Sequence, residues 1–247
     1  MTARELRVFP NAAQLAEAVT ATLVKVIDEC LLSQNRVDVA LTGGTLGSAV
    51  TSRLITTISA YQVDWSQVHL WWGDERWVDL DSHDRNDREL AQAATWGARG
   101  PVVHRVTPRV PGGSVHIAAD TYSREINGAR EASGHTPFFA VVLLGIGPDG
   151  HVASLFPGHK GLNSLETCIG IDDSPKPPPI RVSLTFASIN DSQRVWLLAS
   201  GGEKHAALDQ LFPEKVGQAG IPAAMVHGKE STIVWADQAA VRGDSGR

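Results

Sequence analysis

One pattern recurs along this 247-residue chain: a short apolar segment ends in a glycine-bearing turn, and in most repeats a segment with helical spacing follows. The apolar segments are residues 37–41, 68–72, 138–144 and 195–199. Strands that alternate with helices favour right-handed crossovers and a parallel sheet. We therefore predict an α/β fold, an open and mostly parallel sheet with helices on both faces. The glycine turns should meet at the carboxyl edge of that sheet, where such folds bind ligands.

Spacing and composition predict the remaining elements. Asn11 and Gln14 have the form of a helix capping box, and apolar residues keep helical spacing as far as Cys30. Further helices are predicted over residues 46–58, 87–96, 114–130 and 203–211, and further extended segments over 181–185 and 232–235. Four prolines between positions 175 and 179 predict a stiff surface loop.

Composition bounds the domain count and the partners. With no Ser- or Gly-rich linker, we expect a single domain over residues 1–241 with room for a small subdomain, and a disordered tail over 242–247. The 22 basic and 27 acidic residues are scattered and leave a net charge of −5, which argues against a nucleic-acid partner. The apolar runs fall far short of the ~20 residues of a membrane-spanning helix. No hydrophobic signal segment follows Arg7, so we expect a cytoplasmic protein without a membrane partner.

The two cysteines, Cys30 and Cys168, are too few for a disulfide framework or a thiolate metal cluster. We expect both to be buried as small apolar residues.

The first glycine turn consists of Thr42, Gly43, Gly44 and Thr45. Glycines let the backbone approach an anion, and the helix that follows offers unpaired N–H groups and a favourable dipole. An ordinary strand-to-helix turn has the same composition. The turn carries neither a Walker loop nor a dinucleotide fingerprint.

Three further positions could bind an anionic substrate. Asp74, Glu75 and Arg76 follow the second apolar segment, and an arginine fork suits phosphate while a carboxylate can bind sugar hydroxyls. The alternative is a solvated turn with a surface salt bridge. Lys204, early in the helix after residues 200–202, could reach back toward a phosphate, and its alternative is a surface helix lysine. Arg181 has the same two interpretations.

Asp149 and His151 lie on one tight turn after the most apolar segment. A neutral imidazole can take a proton from water, and a nearby carboxylate can fix the useful tautomer. Because the chain has nine histidines, any one of them is more often a hydrogen-bonded structural residue than a base. The position of His151 after the strand and its glycine turn favours the functional interpretation.

Three stretches resemble the 6-phosphogluconolactonase family closely. They are residues 72–76, 84–88 and the long, highly specific segment 144–158, and agreement in order and spacing extends from about residue 6 to residue 236. The resemblance implies the open α/β fold shared with glucosamine-6-phosphate deaminases and ribose-5-phosphate isomerases. It also implies hydrolysis of 6-phosphoglucono-1,5-lactone in the pentose phosphate pathway, with no cofactor and no metal. We expect a monomer that acts on this small sugar-phosphate lactone.

The same resemblance implies roles for individual residues. His151 would be the general base for the attacking water, and Asp149 would orient it. The residues that would contact the substrate or its phosphate are Thr42, Gly43, Gly44, Thr45, Asp74, Arg76, Asn86, Arg181 and Lys204. One departure is visible, because Leu46 and Gly47 stand where the family often has Thr-Pro. This removes a hydroxyl and a proline that starts the helix.

Two other functions compete with lactone hydrolysis. Glucosamine-6-phosphate deaminases share Asp-Gly-His but continue toward Phe-Asn-Glu-Pro, whereas this chain continues with residues 153–157, Ala-Ser-Leu-Phe-Pro. Sugar-phosphate-responsive transcription regulators of the same fold bind without turnover, but they carry a DNA-binding segment that this sequence does not contain before Asn11. The sequence therefore favours a lactonase.

Overall fold

The computed structural model describes residues 4–58, 63–93, 99–212 and 220–243. Its main sheet has seven parallel strands in the order β1-β10-β9-β6-β2-β3-β5. Their bounds are β1 Arg4–Phe9, β2 Val37–Leu41, β3 Val68–Trp72, β5 Val102–Val103, β6 Phe139–Gly145, β9 Arg194–Ala199 and β10 Ser231–Asp237. The central strands are buried along their whole length, as expected for a parallel sheet covered on both faces.

Helices cover both faces of this sheet, and two separate hydrophobic clusters lie between the helices and the strands. The neighbouring side chains of Trp71 and Trp72 enter different clusters, because successive residues of a strand face opposite ways. The helices are α1 Ala12–Leu31, α2 Gly44–Ile58, α3 Arg88–Ala93, α4 Val115–Ser133, α5 Phe186–Ile189, α6 His205–Asp209, α7 Pro222–Met225 and α8 Gln238–Arg242. No helix among the described residues has both the length and the apolar character to cross a membrane.

Helix α1 shows how the sequence specifies an element. The Asn11 side chain accepts the N–H of Gln14 at 3.0 Å, which satisfies one of the free donors at the helix start. Leu15, Val19 and Leu23 then recur on one face and are fully buried. Burial of such a side chain contributes roughly 1.5–3 kcal/mol, so the apolar face holds the helix on the sheet.

A second, smaller sheet lies beside the first. It contains three antiparallel strands in the order β4-β8-β7, with bounds β4 Asp74–Arg76, β8 Arg181–Leu184 and β7 Cys168–Ile171. The interpretation of residues 74–76 as a charged turn is therefore wrong. Their backbone pairs with residues 181–183, so alternate side chains of β4 face opposite sides.

Several predicted bounds need correction. Strands β1, β5 and β7 were not predicted, and the helix predicted over 203–211 is a 3₁₀ turn, Gly202–Lys204, followed by α6. Helix α3 begins at Arg88, and the predicted end at residue 96 lies outside the described residues. The predicted tail is too long at its start, because Arg242 is the last residue of α8, whereas residues 244–247 lie outside the described part.

The two cysteines differ in their surroundings. Cys168 is buried, and burial raises the pKa of its thiol to about 12. Cys30 is partly exposed, so the expectation of burial is correct for Cys168 alone.

Candidate active site

The segments that follow β2, β3, β6 and β9 meet at the carboxyl edge of the main sheet and surround a cleft of about 180 Å³. The predicted site residues that line this cleft are Thr42, Gly43, Gly44, Asp74, Arg76, Asn86, His151, Arg181 and Lys204. A larger cavity of about 510 Å³ adjoins the cleft and shares Gly43, Gly44 and Lys204 with it. Thr45 lines that cavity. The sequence predicts that these residues, which are distant in the chain, lie in one region. The structure brings them together there.

The first glycine turn is fixed to its neighbours by close contacts. The Thr42 hydroxyl accepts the N–H of Gly145 at 3.2 Å, which joins the turns after β2 and β6. Gly43 lies against the Asn86 side chain, and a Cβ there would be 1.9 Å from Oδ1. Gly44 has a φ of +78°, a conformation that side chains rarely adopt. Two glycines are therefore required here, one for close approach and one for backbone conformation.

Gly47, the departure noted in the sequence, also has a structural reason. A Cβ at this position would lie 2.3 Å from the backbone oxygen of Thr42. The helix start accordingly packs on the turn more closely than a side chain would allow. Gly47 is thus a packing requirement in this chain.

The charged residues of β4 split between two tasks. The Asp74 carboxylate is buried, accepts the Ser154 hydroxyl at 2.6 Å and lies 3.6 Å from the Arg181 guanidinium. Glu75, on the opposite side of the strand, is fully buried and accepts the backbone N–H groups of Arg76, Asn86 and Asp87 at 2.7–3.0 Å. Glu75 therefore clips the following loop onto the strand.

Burial raises the pKa of Glu75 to about 7, with a further rise from the nearby Asp87 charge. This role of Glu75 was not predicted from the sequence. The only available signal was the position of an acidic residue directly after a buried strand.

Asn86, on the loop held by Glu75, and Arg76, at the end of β4, both line the cleft. Asn86 Nδ2 donates to the Asp74 carbonyl at 2.8 Å, and Arg76 Nη1 donates to the Asp84 carbonyl at 2.8 Å. Among the described residues, the buried Asn86 Oδ1 and Arg76 Nε atoms have no hydrogen-bond partner. Both residues line the cleft, although these two atoms are themselves buried.

His151 and Asp149 form a hydrogen-bonded pair. The distance from His151 Nδ1 to Asp149 Oδ1 is 2.6 Å, and the imidazole packs on the Phe156 ring with centroids 4.5 Å apart. With Nδ1 as the donor to the carboxylate, Nε2 is the nitrogen available to take a proton. A Cβ at Gly147 would lie 1.9 Å from His151 Nδ1, so the imidazole occupies space that only glycine leaves open.

The pKa values of both groups are lowered from their usual values. Burial lowers the pKa of His151, and the Asp149 hydrogen bond and charge oppose that shift. Burial also favours the neutral form of Asp149, but the His151 hydrogen bond and charge and the Lys176 contact outweigh it, so the pKa of Asp149 is about 2. At neutral pH the pair therefore consists of a neutral imidazole and a carboxylate.

The backbone of the loop that carries Asp149 and His151 is bent at two points. Gly150 has a φ of +78°, and Ala153 has a φ of +49°, which is rare for a residue with a side chain. Gly147 N–H donates to the His151 carbonyl at 2.9 Å, closing the turn that carries Asp149. These bends aim His151 into the cleft.

The turn after β9 places Lys204 at the cleft, close to Glu203 at 3.5 Å. Asp237, at the end of β10, fixes this turn by accepting the Ser200 hydroxyl at 2.5 Å and the Gly201 N–H at 3.1 Å. No sequence pattern indicates the role of Asp237, because its contacts join positions more than 30 residues apart.

Arg181, at the start of β8, and Lys176, in the proline-rich segment, complete the site. Arg181 is buried, and its guanidinium donates to the carbonyls of Lys176, Pro177 and Pro178 at 3.0–3.3 Å. Lys176 was not predicted, yet its Nζ lies 3.1 Å from Asp149 Oδ1. Its flanking prolines marked a loop and carried no signal of this contact.

Comparison with known proteins places the chain in a class. The model of the family described as glucosamine-6-phosphate isomerases/6-phosphogluconolactonase matches residues 10–235. The chain belongs to this family. A 6-phosphogluconolactonase of Streptomyces coelicolor is 36% identical, with 96% of this chain and 93% of the relative covered.

Solved structures agree. A 6-phosphogluconolactonase from Thermotoga maritima has a TM-score of 0.79 at 28% identity, covering 96% of this chain and all of that chain. A monomeric glucosamine-6-phosphate deaminase has a TM-score of 0.76 at 16% identity, a likeness of fold alone, covering 96% of this chain and all of that chain. The predicted family, the predicted fold and the predicted enzyme class, a lactone hydrolase, are confirmed.

Proposed function

We propose that the protein is a 6-phosphogluconolactonase that hydrolyses 6-phospho-D-glucono-1,5-lactone to 6-phospho-D-gluconate in the oxidative pentose phosphate pathway, with His151 as the general base. The observation that carries the proposal is the His151–Asp149 pair, 2.6 Å apart, in a cleft that also holds Arg76 and Lys204. A base and two cations in one cleft suit a substrate with a hydrolysable carbonyl and a phosphate.

The His151–Asp149 pair determines which atoms carry the protons in the reaction. Nδ1–H of His151 donates to Asp149, so Nε2 takes a proton as water attacks C1 of the lactone. The tetrahedral intermediate then collapses, the bond from C1 to the ring oxygen breaks, and His151 returns its proton to that oxygen. The new carboxylic acid ionises, so each turnover releases one proton.

The phosphate is assigned to the end of the cleft formed by the Gly43–Gly44 turn, Lys204 and Arg76. Helix α2 begins at Gly44, and its first N–H groups and dipole favour an anion. Asn86 and Asp74 also line the cleft and would contact sugar hydroxyls. Arg181 has most of its donors on loop carbonyls, so we assign it to support of the site rather than to the phosphate.

The rival within the family is deamination of glucosamine 6-phosphate. One experiment separates the two functions: proton release from freshly generated 6-phosphogluconolactone is followed by pH-stat, and ammonia release from glucosamine 6-phosphate is measured in parallel. We expect enzyme-dependent proton release and no ammonia. Ammonia release without lactone hydrolysis would reject the proposal. A protein that binds 6-phosphogluconate but turns over neither substrate would point to a regulator. The monomeric state and the cytoplasmic location stay predictions.

A further inference from the structure

Lys176 makes a contact that the proposed reaction does not use. Its Nζ lies 3.1 Å from Asp149 Oδ1 and 3.3 Å from His151 Nδ1. The same carboxylate oxygen accepts the imidazole at 2.6 Å. The Lys176 ammonium group and the His151 imidazole thus contact the same oxygen of Asp149. Both contacts lie on the Nδ1 side of the ring, whereas Nε2 is the nitrogen proposed to take the proton.

The backbone at Lys176 is held by buried groups. Arg181 Nη2 donates to the carbonyls of Lys176 and Pro177 at 3.1 and 3.3 Å, and its Nε donates to Pro178 at 3.0 Å. The Ser174 hydroxyl donates to the Lys176 carbonyl at 3.0 Å. The Arg181 guanidinium is itself fixed by the buried Asp74 at 3.6 Å. A surface lysine has no such scaffold, so its position over Asp149 is built into the fold.

We propose that Lys176 is a positioning residue of the catalytic base, which orients the Asp149 carboxylate toward His151 Nδ1 and opposes protonation of the imidazole. The inference rests on the proposed function and extends it to a third member of the base. Asp149 alone would fix the tautomer but also stabilise the imidazolium ion. Lys176 leaves the tautomer fixed and offsets the stabilisation of the imidazolium ion.

The positive charge of Lys176 determines the direction in which it shifts the protonation of His151. When Nδ1–H donates to Asp149, the Lys176 ammonium cannot donate to that nitrogen, so its contact with the ring is a repulsion between cations once His151 is protonated. The charged groups that face His151 are Asp149 on its own loop, Lys176 on the proline-rich segment and Asp74 on β4. The two carboxylates raise the pKa of His151, whereas burial and Lys176 lower it.

The test uses three variants of the full chain. Lys176→Met removes the charge, Lys176→Arg keeps it, and Lys160→Met removes an equal charge from an exposed position outside the cleft. The His151 titration is followed by NMR of protein labelled at histidine ¹³Cε1, with the signal assigned by its loss in His151→Gln. The pH dependence of kcat/KM for the lactone is measured beside it.

In Lys176→Met we expect the His151 midpoint to rise by about one pH unit, and kcat/KM on the acid side to fall up to about tenfold. Lys176→Arg and Lys160→Met should keep the wild-type midpoint. KM should change less than about twofold in all three, since Lys176 acts through the base and not on the substrate. Equal thermal unfolding midpoints would show that the folds match.

An unchanged or lower midpoint in a folded Lys176→Met would overturn the inference, as would an equal shift in Lys160→Met. A rise in KM at constant kcat and constant midpoint would assign Lys176 to substrate contact and also overturn it. The NMR titration needs no substrate. If the wild-type protein fails to hydrolyse the lactone, the proposed function fails, while the titration still decides the Lys176 inference.

Discussion

Gly147→Ala should inactivate the enzyme without unfolding it. Gly147 lies beside the His151–Asp149 pair, and a Cβ at this position would be 1.9 Å from His151 Nδ1 and 2.6 Å from Asp149 Oδ1. The added methyl group must therefore push the ring away from its carboxylate. Gly147 is not among the glycines with positive φ, so alanine imposes no backbone strain of that kind.

The expected loss of activity follows from the distance by which the imidazole must move. Ordinary contact begins near 3.4 Å, so relief of the overlap requires a displacement of the imidazole by about 1.5 Å. A misplacement of about 1 Å can cost 10²-fold in rate. Correct placement of a general base contributes roughly 10²–10⁴-fold. We therefore expect kcat to fall by at least about 100-fold, with KM changed little because the phosphate contacts lie elsewhere.

The assay is pH-stat hydrolysis of the fresh lactone, with thermal unfolding as the check on the fold. Gly128→Ala is the matched control: Gly128 lies in α4, a Cβ there meets nothing within 4 Å, and alanine favours a helix by up to about 1 kcal/mol. The control should keep full activity. If Gly147→Ala folds and retains more than about a third of the wild-type kcat, the assigned placement of the base is incorrect.

Three further outcomes follow. Lys204→Ala should raise KM for the phosphorylated lactone about tenfold or more while leaving turnover of unphosphorylated gluconolactone unchanged; equal effects on both substrates would remove Lys204 from the phosphate site. In the wild type, kcat/KM should fall only as pH drops through a midpoint below 6.5, because the pKa of His151 is lowered and Asp149 stays ionised to a pKa of about 2; a midpoint above 6.5 would contradict this. Gly47→Ala should lower the free energy of unfolding by about 1–3 kcal/mol, measured by denaturant unfolding, because its Cβ would meet the Thr42 carbonyl oxygen at 2.3 Å; unchanged stability would show that the turn relaxes.

Among the strands, the sequence predicted those that are buried over most of their length. Strand β6 is apolar throughout because it is covered on both faces, and that run is visible without a structure. Strand β1 lies at the sheet edge, is only partly buried and contains three charged residues, so its segment carries no strand pattern. β5 has two residues, and β7 depends on pairing with β8. Edge and short strands are fixed by tertiary pairing and not by local composition.

The candidate site divides in the same way. His151, Lys204 and the Gly43–Gly44 turn were predictable because each follows a strand that ends at one edge of the sheet. Glu75 and Lys176 were not, since their roles depend on contacts with loops 11–27 residues away in the chain. The sequence alone does not distinguish a charged residue that has a specific partner from one that is solvated.

The assignment of His151 as the general base is tested most directly by the activity of His151→Ala, measured together with its affinity for 6-phosphogluconate. The imidazole is assigned to proton transfer and the phosphate to Lys204, Arg76 and the glycine turn, so chemistry and binding should separate. We expect kcat for lactone hydrolysis to fall roughly 10²–10⁴-fold while the Kd for 6-phosphogluconate changes less than about threefold. A folded His151→Ala that turns over the lactone at near the wild-type rate would contradict the central claim.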